Sequence, residues 1–384
     1  MPLLGRLRSG TGESRIWSAV LDRVLRRPLV AALVATALLV ALAVPALGLH
    51  TVDPGVQGIP RTVPIMQTYD RIQGAFPGGV LPAVVVVSAD DVSAAPVREA
   101  IADLRRRALA DDAMVGPVGV EVNRARTVAT VSIPLAGEGT DAASDRALDT
   151  LRQDLVPATL GRVGGVRADV TGLTAGSRDF NDTMKANAPW VFAFVLGMAF
   201  LLLMVTFRSI VIPIKAILLN LLSVGAAYGV LVLVFQDGRL EGLLGYQSIG
   251  GITSWLPLFL FVVLFGLSMD YHVFILTRIR EAFDRGLSTE DAVAHGIKST
   301  AGVVTSAAAV MIGVFGVFAT LSALDFKQMG VGLAVAVLID ATIIRGVLLP
   351  ASMKLLGDWN WWLPGFLGWL PRVSPERCAA PAEA

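Results

Sequence analysis

Six long apolar runs divide the sequence. Each run has about 18 residues or more, the length that an α-helix needs to cross the hydrocarbon core of a bilayer. The last run also carries Asp340 and Arg345, so its prediction depends on its length and on the apolar residues around these two. The pattern predicts six membrane spans, at about 29–49, 189–207, 211–235, 252–276, 301–321 and 329–353.

A cleaved signal peptide is the alternative interpretation of the first run, with RVLRRP as its charged leader. The apolar part of a signal peptide is usually about 7–15 residues long, and this run is longer. The stretch that precedes it, 1–28, is also long for a leader. We therefore predict a membrane span at 29–49.

The segment 50–188, between the first and second spans, alternates between strand and helix patterns. LPAVVVVSA, VGVEV, TVATVSIPL and VRADVTGL are typical of strands, whereas PVREAIADLRRRALA and ASDRALDTLRQDLV place apolar residues at helical spacing. The predicted order is β-α-β-β-α-β, the split unit of ferredoxin-like α+β domains. Because the segment is too long for a structureless loop, we expect it to fold as a domain.

The placement of arginine and lysine orients the spans. Cytoplasmic loops carry an excess of these residues. With six crossings, the cation-rich segments named below, which lie next to the spans, all fall on one side, so 1–28 and the tail 354–384 are predicted to be cytoplasmic and 50–188 extracytoplasmic. The residues that carry this pattern are Arg15, Arg23, Arg26, Arg27, Arg208, Lys215, Arg278, Arg280, Arg285, Lys298, Lys354, Arg372 and Arg377.

The loop after the fourth span has its own helical pattern. TRIREAFDRGLSTEDAVAHGIKST predicts a short amphipathic helix, a glycine break and a second helix start. At that start, Ser288 and Asp291 have the spacing of a capping box. We interpret the loop as a connector that lies on the membrane surface.

Composition agrees with a membrane protein. Of 384 residues, 54% are hydrophobic and 16% are charged, whereas about a quarter of an ordinary soluble domain is charged. The net charge of +1 argues against nucleic acid as a partner. The single cysteine, Cys378, and three histidines predict neither disulfides nor a metal site. Since phosphate-loop and nucleophile-elbow motifs are also missing, we predict no cofactor and no enzymatic activity.

An acidic residue interrupts the fourth apolar run, in FGLSMDYHVF at 265–274. A charged side chain at the centre of a bilayer costs roughly 2.5–3.5 kcal/mol. Asp270 is therefore expected to be protonated, because burial disfavours a carboxylate, or to be paired with another group. In either state its charge depends on its surroundings, which makes Asp270 a candidate proton carrier.

The neighbours of Asp270 point in other directions. Successive helical residues lie about 100° apart, so Tyr271 is predicted to hydrogen-bond a residue on a neighbouring helix. It can reach an acid of that helix, or Asp270 through water. His272, about 200° from Asp270, is expected to face lipid or to pack against a loop. Gly266, one turn before Asp270, allows another helix to approach that face.

A second acid, Asp340, lies near the middle of the last span. It is either part of a proton path with Asp270 or a structural hydrogen-bonding group that sets helix packing. Arg345 is nearer the cytoplasmic end and is expected to extend to the membrane surface. In the fifth span, Thr305 and Ser306 can hydrate a path between the fourth and sixth spans, or act only as small helix-packing residues.

Several stretches resemble the MMPL family (mycobacterial membrane protein large) of the resistance–nodulation–cell division (RND) superfamily. They are RRPLVAALV, GAFPGGVLPAVVVV, FGLSMDYHVFILTRIREAFDRG and DFKQMGVGLAVAVLIDATIIRGVLLPASMKLLGDWNWWLP. The resemblance covers about residues 15–364. Its most specific part is the DY pair at 270–271 together with the downstream GVGLAVAVLIDATIIR.

The resemblance implies a fold and a function. Members have two six-span halves, each with one span, a periplasmic porter domain built on a βαββαβ unit, and five more spans. This chain resembles one half, most closely the C-terminal one. The family's DY pair acts as a proton relay and matches Asp270 and Tyr271, and its proton-driven exporters move lipids or other hydrophobic molecules across the cell membrane. Many relatives have Glu where this sequence has His272.

The resemblance also implies partners, because a whole transporter uses acids from both halves and this chain has one DY pair. We expect a hydrophobic or lipid substrate, protons, membrane lipids and another six-span half, in a homo- or hetero-oligomer. The alternative is a non-transporting scaffold or accessory subunit, or a fragment of a split transporter gene.

Overall fold

The computed structural model describes residues 15–75, 82–137, 139–367 and 369 of the chain. The start of the predicted segment 1–28 and the end of the predicted tail 354–384 lie outside the described residues. So do Arg372, Arg377, Cys378 and the FPGGVL part of GAFPGGVLPAVVVV.

Helices dominate the described part of the chain. The α-helices are α1 Arg15–Arg26, α2 Pro28–Ala43, α3 Pro64–Ala75, α4 Ala95–Leu109, α5 Ala142–Asp149, α6 Val156–Ala158, α7 Leu173–Phe207, α8 Val211–Leu231, α9 Glu241–Leu244, α10 Leu256–Asp284, α11 Thr289–Ala319, α12 Leu324–Ile339 and α13 Leu349–Leu356. The strands are β1 Thr51–Val52, β2 Ala83–Ser88, β3 Gly119–Val122, β4 Val128–Ile133, β5 Arg167–Thr171 and β6 Ile252–Thr253. A π-helical segment, Asp340–Leu348, joins α12 to α13.

Six helical segments among the described residues are long and apolar enough to cross a membrane. Each contains most of one predicted apolar run, so the prediction of six spans is confirmed. Several segments are longer than their runs, because polar residues continue the helix beyond the apolar part. The segments are Pro28–Gly48, Leu173–Phe207, Val211–Gln236, Leu256–Asp284, Thr289–Ala319 and Leu324–Trp361.

The second span begins earlier than its apolar run. Helix α7 starts at Leu173, so the predicted boundary at residue 188 lies within a helix, which continues through Pro189. Gly172, before α7, has a φ of 121°, and a Cβ there would lie 2.8 Å from the carbonyl oxygen of Pro82. This position requires glycine, and through it β5 runs directly into α7.

Helices α10 and α11 also continue past their apolar runs. They are separated by a short connection in which Gly286 has a φ of 94°. Ser288 is the N-cap of α11, and its hydroxyl oxygen accepts from the Asp291 N–H at 3.1 Å. The predicted glycine break and the predicted cap are therefore both present.

Strands β2 to β5 form a four-stranded antiparallel sheet in the order β3-β4-β2-β5. Helix α4 follows β2 and α5 follows β4, so the elements succeed one another as β-α-β-β-α-β. Buried and half-buried residues alternate along β2 and β4. The buried face, with Val85, Val87 and Val131, packs on Leu104 of α4 and Leu148 of α5, and each such side chain contributes about 1.5–3 kcal/mol.

An ion pair joins this α+β domain to the second span. Arg152 donates from Nη1 and Nη2 to the two carboxylate oxygens of Asp179 in α7, at 2.6 and 2.8 Å. Its Nη2 also donates to the carbonyl of Val170 in β5 at 2.9 Å. The hydrogen bond to Asp179 raises the pKa of Arg152 above its ordinary value. A single side chain thus contacts both the sheet and the membrane helix.

Small residues bring the membrane helices close together. A Cβ at Gly229 of α8 would overlap the carbonyl oxygen of Leu42 in α2. A Cβ at Gly330 of α12 would lie 2.6 Å from the carbonyl oxygen of Phe315 in α11.

Large apolar side chains are exposed on the outside of the spans, as expected for a surface that meets lipid or another helix. They include Trp190, Phe194, Leu218, Val310 and Val314.

Gly229→Ala is expected to destabilise the bundle by about 1–3 kcal/mol, because the added methyl group forces α2 away from α8. Gly225→Ala is the matched control on the same helix, since its Cβ would lie 3.5 Å from the Cβ of Ala43, an ordinary contact. Alanine also favours a helix over glycine by about 1 kcal/mol. Melting temperatures in bilayer discs compare the variants, and equal values would contradict the close packing of α2 on α8.

Candidate functional site

A buried ion pair lies in the last span. Asp340 is 8% exposed and Arg345 is 1% exposed. Arg345 donates to Asp340 Oδ2 from Nη2 at 2.5 Å and from Nε at 3.1 Å. Ser268 of α10 holds the pair: its hydroxyl donates to Asp340 Oδ1 at 3.0 Å, and its carbonyl accepts from Arg345 Nη2 at 2.8 Å. The two charges therefore compensate each other, as buried charges must.

The local helix geometry explains this pair and corrects a prediction. Arg345 was expected to extend to the membrane surface, but it points into the bundle. Residues Asp340–Leu348 are π-helical, and a π-helix bonds residues five apart. Residues 340 and 345 then face the same way, whereas on an α-helix they would lie about 140° apart. The wider turn thus directs Arg345 onto Asp340.

Tyr271 joins this cluster through its ring. The guanidinium carbon of Arg345 lies 4.5 Å from the ring centroid, a cation–π contact. The Tyr271 hydroxyl donates to Met311 Sδ on α11 at 3.3 Å. The hydrogen bond runs to a neighbouring helix, as expected, but its acceptor is a thioether, which is a weak acceptor.

Asp270 lies apart from this cluster. Its side chain is exposed on the outer side of α10. It is not packed inside the helix bundle, where an acid within an apolar run would find a partner. Within the ranges that the structure describes, Asp270 forms no hydrogen bond or ion pair. Gly266, one turn earlier, is also exposed, and a Cβ there would contact nothing within 4 Å. This face of α10 is therefore open to the approach of another helix.

The two hydroxyl residues predicted to line the path lie in different places. Thr305 and Ser306 are both exposed on α11. Thr305 Oγ1 accepts from Trp17 Nε1 of α1 at 2.9 Å. Ser306 donates to a carbonyl of its own helix at 2.8 Å and lines an open groove together with Tyr271. The structure thus brings Ser306 near Tyr271, whereas Thr305 lies against α1.

His272 faces the interior, contrary to the expectation that it faces lipid or a loop. It is 1% exposed, and both of its ring nitrogens are buried. Ser268 and His272 are four residues apart on α10 and therefore share a helix face, while Asp270 lies on another. That spacing is the sequence signal that would have placed Ser268 and His272 together.

A small cavity adjoins the ion pair. Its volume of about 10 Å³ is near the smallest that holds one water molecule. Among its lining residues, the polar ones are Asn220, Ser223, Ser268, Tyr271, Asp340 and Arg345. The site is too small for a lipid and its chemistry suits water and protons.

Among the described residues, no group of three or more His, Cys, Asp or Glu could hold a metal ion.

Six apolar helices, with an α+β domain between the first and the second, define a multi-pass membrane protein. A sequence model of the MMPL family matches residues 57–377. This match covers most of the chain, so the chain belongs to the MMPL family.

Several curated relatives are similar over nearly the whole chain. The mycolic acid-containing lipids exporter MmpL11 of Mycolicibacterium smegmatis is 38% identical over 373 residues, 96% of this chain. The heme uptake protein MmpL11 of Mycobacterium tuberculosis is 36% identical over 374 residues, also 96%. The trehalose monomycolate exporter MmpL3 of Mycobacterium tuberculosis is 30% identical over 363 residues, 92%. In each case the chain spans 38% of the relative's length.

Proposed function

We propose that this chain is one six-span half of an MMPL-type transporter, which exports lipids or other hydrophobic molecules and is driven by protons. The observation that carries the proposal is the exposed carboxylate of Asp270 on a membrane span, beside Tyr271. A charged group in hydrocarbon costs roughly 2.5–3.5 kcal/mol, so Asp270 needs a proton or a partner. Family membership and the lipid exporters among the relatives support transport.

A second six-span half is the partner that Asp270 fits. The relatives are more than twice as long as the part that this chain spans. The face of α10 that carries Asp270 is open at Gly266, so another half can pack there. In a homo- or hetero-oligomer with pseudo-twofold symmetry, that half would place its own polar groups against Asp270. Membrane lipids would cover the remaining apolar faces.

The α+β domain is proposed to be an extracytoplasmic porter domain of ferredoxin-like topology. The β-α-β-β-α-β succession and the sheet order β3-β4-β2-β5 support this assignment. The placement of the arginine- and lysine-rich segments supports a cell-membrane protein whose two termini both lie in the cytoplasm. The contact of Arg152 with Asp179 would couple movement of the domain to movement of α7.

The proposed mechanism uses the charge change on Asp270. Uptake of a proton removes the negative charge, which changes the electrostatic contact of α10 with the other half. Tyr271 is the adjacent relay group, and Arg345 holds its ring from inside the bundle. Asp340 serves the relay by neutralising and orienting Arg345. Ser306 offers a hydroxyl group in the groove beside Tyr271.

In a native-like membrane mimic, the chain is expected to form a complex of at least twice its mass of 40.5 kDa, because Asp270 needs a partner. Native mass spectrometry, with identification of the co-purifying chains, separates a homodimer from a pair with a different half. A stable monomer that binds no other chain would contradict the proposal. The function itself is tested by Asp270→Asn, which should lose proton-coupled transport.

A non-transporting scaffold or accessory subunit is the second candidate function. The open face of α10 at Asp270 and Gly266, on which another chain can pack, is the observation that favours it. This candidate predicts that Asp270→Asn leaves the cellular phenotype intact, while deletion of 50–172, before α7, abolishes partner binding. An exporter half predicts that Asp270→Asn alone abolishes the phenotype.

A further inference from the structure

Several polar atoms near the ion pair are buried without a protein partner. Both ring nitrogens of His272, Nδ2 of Asn220 and Nη1 of Arg345 have no hydrogen-bonding group within reach in the described ranges. Buried polar groups in folded proteins are nearly always hydrogen-bonded, either to protein or to ordered water. These four atoms, on three neighbouring helical segments, therefore point to bound water.

The cavity beside the ion pair borders the face of α10 that also carries His272. Asn220, Ser268 and Arg345 line the cavity. His272 is one helical turn beyond Ser268 on the same face of α10. His272 does not line the cavity itself; its unpaired ring nitrogens are the next buried polar groups beyond Ser268 on this face of α10.

Lys215 continues the polar residues toward one end of the bundle. It is buried in the first turns of α8, and its Nζ donates to Oδ1 of the buried Asn360 at 3.0 Å. An ammonium group has three donors, so this bond leaves two for other acceptors. Ile212 and Ala216, beside Lys215 on α8, pack in one apolar cluster with Ile275 and Leu276 of α10, which follow His272. Lys215 is therefore on the side of the bundle toward which α10 continues beyond His272.

We propose that His272, Asn220 and Arg345 line a buried water-binding site, which continues the Asp340 network toward Lys215. A water molecule has two donors and two acceptor lone pairs, so water bound there can donate to the unprotonated ring nitrogen and accept from up to two of the protonated ring nitrogen, the amide and the guanidinium. An imidazole can take a proton at one nitrogen and release one from the other. Use of the site as a proton route rests on the proposed transport function, whereas its hydration does not.

Solid-state NMR of the full chain in lipid bilayers tests this site without a transport assay. The sequence has three histidines, and His50 and His295 are exposed. A double variant, His50→Gln with His295→Gln, leaves His272 as the single ¹⁵N-labelled ring. We expect magnetisation transfer from water to its nitrogens and exchange of its N–H in D₂O. A ring that shows no transfer from water and keeps its proton in D₂O would overturn the proposal.

Two further samples keep the result decisive. If the double variant does not fold, the labelled wild-type chain gives the same readout, and His272→Gln identifies the signal that disappears. The two proposals can fail separately. If His272 is hydrated but the Asp270→Asn variant still couples transport to protons, the water site stands and the proposed function is overturned. A dry His272 overturns the water site whatever the transport result.

Discussion

Asp270→Asn is expected to reduce proton-coupled transport by at least about 100-fold, because an amide cannot take up and release the proton that a carboxylate carries. Asparagine has nearly the same size, and Asp270 is exposed, so the chain should fold and assemble normally. The measurement is the decay of an imposed pH gradient in vesicles that hold the complete complex, followed with a pH-sensitive dye.

Asp284→Asn is the matched control on the same helix. Asp284 pairs with Arg280 at 3.0 Å on the exposed end of α10. Exposed ion pairs contribute about 0–1 kcal/mol, so this variant should transport protons as the wild type does. Retained coupling in an assembled Asp270→Asn complex would contradict the proton-carrier role. Equal loss in both variants would assign the effect to α10 as a whole instead of to Asp270.

Arg345→Met is expected to lower the free energy of unfolding by about 3–5 kcal/mol, because removal of one partner leaves a buried charge uncompensated. The charge left behind is the carboxylate of Asp340, which receives two hydrogen bonds from Arg345. Unfolding measured in bicelles gives the loss. Arg278→Ala, which breaks an exposed pair with Glu281, is the control and should lose less than about 1 kcal/mol. Equal losses in the two variants would show that the buried pair contributes no more than an exposed one.

A double variant separates stability from function at the same pair. Well-packed apolar residues often replace a buried ion pair without loss of stability, so Arg345→Met with Asp340→Leu should recover most of the free energy. Transport should remain impaired, because Tyr271 lacks the guanidinium that lies 4.5 Å from its ring. Recovery of transport together with stability would show that Arg345 has only a structural role.

The six spans could be predicted because the length and apolar character of a run are local properties. The order of strands and helices before the second span could be predicted for a similar reason, since strand and helix patterns have different periods. Helix ends were less predictable. Helix α7 begins at Leu173 and α11 at Thr289, because polar residues continue a helix beyond an apolar run as readily as apolar ones do.

The chemical groups that the membrane spans carry follow from the sequence: the acids Asp270 and Asp340, with Tyr271 beside the first. Which of these groups meet depends on how the helices pack. The rotation of α10 depends on its packing against several helices at once, and it places Asp270 outside and His272 inside. The π-helical turn directs Arg345 onto Asp340. Residue spacing assumes regular α-helical geometry and so cannot reveal a contact that depends on a change in helix hydrogen bonding.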